Sequence, residues 1–206
     1  MRTLVIDCAT EACSVALFED AQLIAGDYRI LGRGHAEHLV PMISALPDKG
    51  HASRIAVDIG PGSFTGIRVG LAAAKALALA WRAEVVGYGA LALVAAMARA
   101  EAAGEVEVAM TAGHGEWFVQ RFAADGTTLE EALSLSPEQA AARAAVATVA
   151  GSQAAALAAL RGAGAALALL PDARRFDLLP AAALIREPHP AYGRAPDARL
   201  PAAAAV

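Results

Sequence analysis

Aromatic side chains are scarce: two Trp, three Tyr and five Phe among 206 residues. Alanine, with leucine and valine, makes up most of the 57% that is hydrophobic. Cysteine is scarcer still, with Cys8 and Cys13 alone. Two thiols without a Cys-x-x-Cys spacing are too few for a zinc site and read as buried free thiols. A chain of this length can build a core without disulfide or metal staples. Dense runs of Lys or Arg are also missing. Seventeen basic residues face 21 acidic ones, for a net charge of -4 and a pI of about 5.7. Affinity for a phosphate backbone comes largely from clustered cations, so strong autonomous binding of nucleic acid is disfavoured. Mean hydropathy is high at +0.44. Even so, the chain lacks the continuous apolar stretch of about 20 residues that a spanning helix needs. Its longest uncharged run, residues 144–160, is interrupted by Thr148, Gly151, Ser152 and Gln153. The first residues meet a carboxylate, Asp7, too early for a signal peptide. The expectation is a cytoplasmic protein with no membrane partner.

Short β-branched apolar runs at residues 3–6, 14–18 and 23–27 predict three strands in a meander, with Asp20 near a tight turn. Residues 35–46 predict a helix with Leu39, Met42, Ile43 and Leu46 on one face. Pro47-Asp48-Lys49-Gly50 ends it. A strand at 54–59, a helix at about 64–81, a strand at 84–87 and a helix at 90–102 follow. The second half predicts strands at 106–110 and 117–122, with Asp125-Gly126 as a hairpin turn. Beyond Pro137, short helices (137–144 and 152–160) alternate with short strands (146–149 and 166–170). Prolines 188, 190, 196 and 201 predict an extended tail from about residue 187. A boundary near Ala103-Gly104 divides the chain into lobes 1–103 and 104–206. The order of elements implies an α/β protein with mixed sheets.

The residues richest in chemistry are Gly60-Pro61-Gly62-Ser63-Phe64-Thr65-Gly66-Ile67-Arg68-Val69-Gly70, between a predicted strand and a predicted helix. Glycine permits positive φ and close approach of a ligand or another backbone. A helix N-terminus offers free N–H groups and a positive dipole end. Ser63 and Thr65 add hydroxyls, Ser63 can cap the helix, and Arg68 adds a cation. Gly60, Gly62, Ser63, Thr65, Gly66 and Arg68 thus form either an anion or phosphate cradle or a tight turn with close helix packing. No Walker loop, dinucleotide fingerprint or nucleophile elbow is present. Asp7-Cys8-Ala9-Thr10 follows the first strand. Asp7 and Thr10 there either hold a hydrated metal or phosphate, or Asp7 serves as a turn-former. His35 and His38 share a helix face at i and i+3, but no third metal ligand is evident nearby, so no metal site is assigned.

Three ordered segments resemble the TsaB (YeaZ) family. They are Asp7-x-Ala9-Thr10-Glu11-Ala12-Cys13-Ser14-Val15-Ala16-Leu17, then His35-x-Glu37-x-Leu39-x-Pro41, then the Gly60–Gly70 run. Gly115-Glu116 and Pro190-Ala191-Tyr192-Gly193-Arg194 add weaker likeness. The resemblance implies a two-lobed actin-like ATPase (ASKHA/RNase H-like) fold, with mixed sheets flanked by helices. It implies a non-catalytic paralogue of the TsaD-type threonylcarbamoyl transferase. Such a subunit supports the transferase, helps recruit the TsaE-type ATPase and meets tRNA through the complex, which installs threonylcarbamoyl on adenosine 37. It further implies that the dimer uses helices of the first lobe. The candidate interface is His35, His38, Leu39, Met42, Ile43, Gly70, Ala73, Ala74 and Leu77, with no required cofactor and weak or interfacial ATP or ADP.

The sequence also departs from the family pattern. His35 and His38 stand one residue closer than the His-x-x-x-His of the catalytic paralogue. The segment between Pro41 and Gly60 is short, Thr111-Ala112-Gly113 stands where Asp-Ala-Arg is usual, and Gly193 replaces a leucine. Two rival readings are an independent nucleotide-binding enzyme of the same fold and a homodimeric binding module using the same helical face.

Overall fold

The computed structural model describes residues 1–193. It builds two sheets from one alternation of short elements. Strands β1 (Arg2–Asp7), β2 (Ala12–Glu19) and β3 (Gln22–Ile30) form the expected meander. The β2–β3 turn is the dipeptide Asp20-Ala21, with φ of 47° and 68°. Positive φ at both central residues matches the right-handed twist of the flanking strands. Helix α1 (His35–Ala45) leads to β4 (Arg54–Asp58), helix α2 (Phe64–Trp81), β5 (Glu84–Tyr88) and helix α3 (Ala90–Glu101). The first sheet has β1 at its centre, antiparallel to β2 and parallel to β4, and β4 is parallel to β5.

The second sheet is built on β6 (Val106–Gly113) and β7 (Glu116–Phe122). It adds β8 (Leu133–Leu135), β9 (Thr148–Ala150) and β10 (Ala165–Leu167), in the order β10-β9-β6-β7-β8. Helices α4 (Pro137–Ala141) and α5 (Ala154–Arg161) cover its outer face, where Ala140, Ala154 and Leu157 pack with Trp117, Val119 and Val149. Both helices are close to the expected positions, and α4 is shorter. The strand β8 has no strong apolar alternation to announce it.

Period-two alternation along the strands assigns each face of the first sheet. Leu4, Ile6, Ile55 and Val57 meet Leu39, Met42, Ile43, Ile67, Leu71 and Ala74 of α1 and α2. Val5, Ala56 and Val86 face the other way, against Leu93 and Met97 of α3. The opposite side of α3, with Leu91, Val94, Ala95 and Ala98, packs on Val106, Val108, Met110 and Phe118 of the second sheet. A helix buried from both sides must be apolar all round, and its alanines let two sheets approach it. Alanine here is therefore packing material between the lobes.

After the second sheet the chain returns to the first. The 3-10 turn Ala173–Leu178 packs under β1–β3, with the Ser14 hydroxyl accepting from the Ala173 N–H at 2.9 Å. Strand β11 (Ile185–Arg186) then adds antiparallel to β5. Ala173–Leu178 and Ile185–Arg186, counted with the second lobe by the sequence boundary, thus pack on the first sheet. Of the tail motif, Arg194, and of the tail prolines, Pro196 and Pro201, lie outside the described residues.

One charged cluster is buried in the second lobe. Glu107 on β6 is fully enclosed, pairs with the guanidinium of Arg161, and has Arg143 Nε at 3.6 Å. Arg161 also donates to the Ala140 carbonyl at 2.7 Å. Removing one partner of such a pair leaves an uncompensated buried charge, at a cost of about 3 kcal/mol. Arg161→Met is expected to lower the unfolding free energy in urea by about that amount; a loss below about 0.5 kcal/mol would contradict the buried pair.

Candidate functional site

The loop after β4 and the loop after β1 meet where α2 begins. Ser63 caps α2, its hydroxyl accepting from the Gly66 N–H at 3.2 Å. The Ser63 N–H donates to the Ala9 carbonyl at 2.6 Å. A Cβ on Gly62 would lie 2.1 Å from the Ala9 oxygen, and one on Gly66 would lie 1.9 Å from the Cys8 oxygen. These two glycines are explained by backbone meeting backbone. Gly60, at φ 101°, is buried beneath Ile67 and the Ala191 carbonyl.

Above this contact lies a cleft of about 1190 Å3 between the lobes. The first lobe lines it with Ala9, Thr10, Glu11, residues 32–37, residues 61–66, Arg68 and Val69. The second lobe contributes residues 110–114 and Phe118, and the returning tail contributes Tyr192 and Gly193. Gly62, Ser63, Thr65, Gly66, Arg68 and Thr10 of the predicted set therefore share one cavity wall. Gly60 lies beneath it. The polar groups are partly spent: the Thr10 hydroxyl accepts from the Ala12 N–H at 3.2 Å. The Arg68 guanidinium stacks on Phe64 at 3.5 Å from the ring centroid, and its Nε donates to the Tyr192 hydroxyl at 2.9 Å.

Asp7 does not reach the cleft, which corrects its expected place in an anion site. Period-two alternation turns it to the Val5 side, and it is completely buried. The Asp7 carboxylate accepts from the Ala9 N–H at 3.3 Å and from the Tyr88 hydroxyl at 3.2 Å. Beside it sits Asp58, at the equivalent end of the parallel neighbour β4, accepting from the Gly60 N–H at 2.7 Å. Burial pushes Asp7 up to about 6. Burial first, and then the negative charge of Asp7, hold Asp58 well above the usual carboxylate range. Two buried carboxyls side by side cannot both be ionised at low cost, so the pair keeps a proton. Asp58 and Tyr88 were not anticipated. The available signal was a carboxylate ending each of two apolar strand runs, Ile6-Asp7 and Val57-Asp58.

The candidate interface residues divide by burial. Leu39, Met42, Ile43, Gly70 and Ala74 point into the core of this chain, on the sheet side of α1 and α2. This corrects their placement against a partner: the i, i+3, i+4 face that marks an amphipathic helix is its buried face. Ile43 alone of the five also reaches the edge of an outer groove. His35 is likewise buried, with Nε2 at 3.1 Å from the Ala12 carbonyl. His38 is exposed, and Ala73 and Leu77 are half-buried. The outer face of α1 and α2 carries exposed Val40 and Leu79, the latter 85% exposed. Val40, Ile43, Ala73, Ala76, Leu77 and Trp81, together with polar Ser44, Asp48, Lys49 and His51, line a shallow groove there of about 380 Å3. By length and apolar composition α2 alone among the described helices could cross a membrane.

Two mixed sheets flanked by helices, with a cleft between lobes joined by α3, define the actin-like ATPase (ASKHA/RNase H-like) class. The family model described as "TsaD: tRNA N6-adenosine threonylcarbamoyltransferase" matches residues 29–175. The chain is 36% identical over 131 residues to the tRNA threonylcarbamoyladenosine biosynthesis protein TsaB of Escherichia coli, covering 61% of this chain and 56% of that one. It therefore spans little more than half the length of that curated relative. The solved structure of YeaZ from Pseudomonas aeruginosa superposes with a TM-score of 0.73 at 30% identity, covering 86% of this chain and 89% of that one. The ethanolamine utilization protein EutJ of Carboxydothermus hydrogenoformans shares the fold at TM-score 0.51 and 11% identity. The chain belongs to the TsaB (YeaZ) family, within the span of the TsaD family model.

The carboxyl pair sets the sign of a pH dependence. Folded pKa values above the unfolded value of about 3.9 mean that the folded state binds more protons there. The pair's contribution to stability is then fully present below about pH 3.9 and is lost as pH rises, for Asp7 by about 6. The slope is at most about 1.4 kcal/mol per pH unit for each group. Asp58→Asn, which replaces the protonated carboxyl with a neutral amide, is expected to flatten this fall. Urea unfolding at several pH values checks it, and equal slopes in both proteins would contradict the shared proton.

Proposed function

We propose that this chain is the scaffold and dimerisation subunit of the assembly that forms N6-threonylcarbamoyladenosine at position 37 of tRNA. In this reading it binds and supports a TsaD-type transferase, helps recruit a TsaE-type ATPase, and meets tRNA through the complex. Family membership supports the pathway. The observation that carries the scaffold role is the outer face of α1 and α2, where Val40 and Leu79 are exposed and a groove is lined by Val40, half-buried Leu77 and Trp81, and polar Asp48, Lys49 and His51. Small residues such as Ala73 and Ala76 there allow a partner helix to come close. The chemistry of the cleft supports a non-catalytic role. Asp7 and Asp58, the two carboxyls that end the central strands, face the core with a retained proton instead of the cavity. A net charge of -4 fits a subunit whose partner holds the RNA.

The cleft supports a second, subordinate reading. Thr10, Ser63, Thr65 and Arg68 line it and suit a weakly bound or interfacial ATP or ADP. The same outer face pairs with itself when the transferase is absent, giving a homodimer that the transferase displaces.

Leu79→Glu places a charge on a side chain that makes little contact within this chain. It is expected to leave thermal unfolding unchanged and to weaken binding to the transferase at least tenfold, read by calorimetry. Unchanged affinity would contradict the interface. Loss of the gene is expected to deplete threonylcarbamoyladenosine in tRNA digests, and normal levels of the modified nucleoside would contradict the pathway.

A further inference from the structure

Two thiols take no part in lining the cleft or in the outer face of α2. Cys8 follows β1, and Cys13 lies near the start of β2. The β1–β2 ladder closes with Asp7 opposite Ser14, and Cys8 and Cys13 are the next residues beyond it on each side. Both side chains are buried and free, and their Sγ atoms are 3.7 Å apart. We propose that Cys8 and Cys13 form a redox-sensitive dithiol that closes to an intramolecular disulfide under a hydroperoxide, tying off the loop that forms one wall of the cleft.

The chemistry needs one co-reactant, the peroxide. Both sulfurs are enclosed, so the reaction passes through opening of the 8–13 loop. One sulfur attacks the peroxide oxygen, the O–O bond breaks, and an alcohol or water leaves with that thiol's proton. The other sulfur then attacks the resulting sulfenic acid. An S–S bond forms, the S–O bond breaks, and hydroxide leaves with the second thiol's proton as water. Two thiols are oxidised and one peroxide is reduced. The loop between them carries Ala9, Thr10 and Glu11 of the cleft wall, and Ala9 accepts from Ser63. Oxidation therefore acts on the element that holds the start of α2.

Both cysteines fall in one tryptic peptide, residues 3–29, which contains no other Lys or Arg before its last residue. The folded protein is treated with hydrogen peroxide, its remaining thiols are alkylated, and this peptide is weighed. The proposal expects a loss of two hydrogens, no alkylation, and full reversal by a dithiol reductant. In Cys8→Ser the lone Cys13 is expected to be trapped by a sulfenic-acid probe that does not label the wild type. Two alkylated thiols after peroxide, or sulfinic acid in place of the disulfide, would overturn the proposal. The wild-type result stands by itself if the variant fails to fold.

Discussion

The first lobe depends on how closely the start of α2 lies upon the loop after β1. At Gly62 and Gly66 there is no room for even a methyl group, because the carbonyls of Ala9 and Cys8 occupy that space. The Ser63 N–H is bonded into the same contact. Overpacking such a site costs about 1–3 kcal/mol or more, since neither backbone can retreat. From this one contact follow the angle of α2 on the sheet, the floor of the cleft, and the outward turn of Ala76 and Leu79. A loop that looks suited to cradling phosphate is here used mainly to bring two backbones together.

That use bears on the kind of work the protein does. Its helix cap, its glycines and its Thr10 hydroxyl are largely committed to internal hydrogen bonds and close contacts. Arg68 is held against Phe64 and Tyr192. The two strand-end carboxyls lie in the core and retain a proton. The cavity wall keeps the architecture of the actin-like class, while Arg68 and the two strand-end carboxyls are engaged with other groups. Two exposed apolar side chains, Val40 and Leu79, sit on the outer side of α1 and α2. This division, a restrained cleft and an exposed helical face, is what the proposed scaffold role would use.

Much of this was legible in the sequence. The meander, the glycine turn, α2 and α3 are each fixed by local pattern: β-branched runs, a serine cap, and apolar spacing. Thr10, in the β1–β2 loop, and residues 62–66 and Arg68, at the β4–α2 junction, line the cleft. Three features were not legible. Asp7 was misplaced because alternation along β1 decides which side it faces, and only packing on Tyr88 and Asp58 shows that side to be closed. Leu39, Met42 and Ile43 were misplaced because an apolar helix stripe looks the same whether it meets its own sheet or another protein. The return of Ala173–Leu178 and Ile185–Arg186 to the first sheet depends on long-range pairing that no local signal records.

The central claim is that the outer face of α1 and α2 binds a transferase of the TsaD type. Hydrogen exchange followed by mass spectrometry, on this chain alone and mixed with that transferase, addresses it most directly. The account predicts new protection concentrated in His35–Ala45 and Phe64–Trp81, with little change in Pro137–Ala141 and Ala154–Arg161. Protection centred on the second lobe, or none in α2 at saturating transferase, would contradict it.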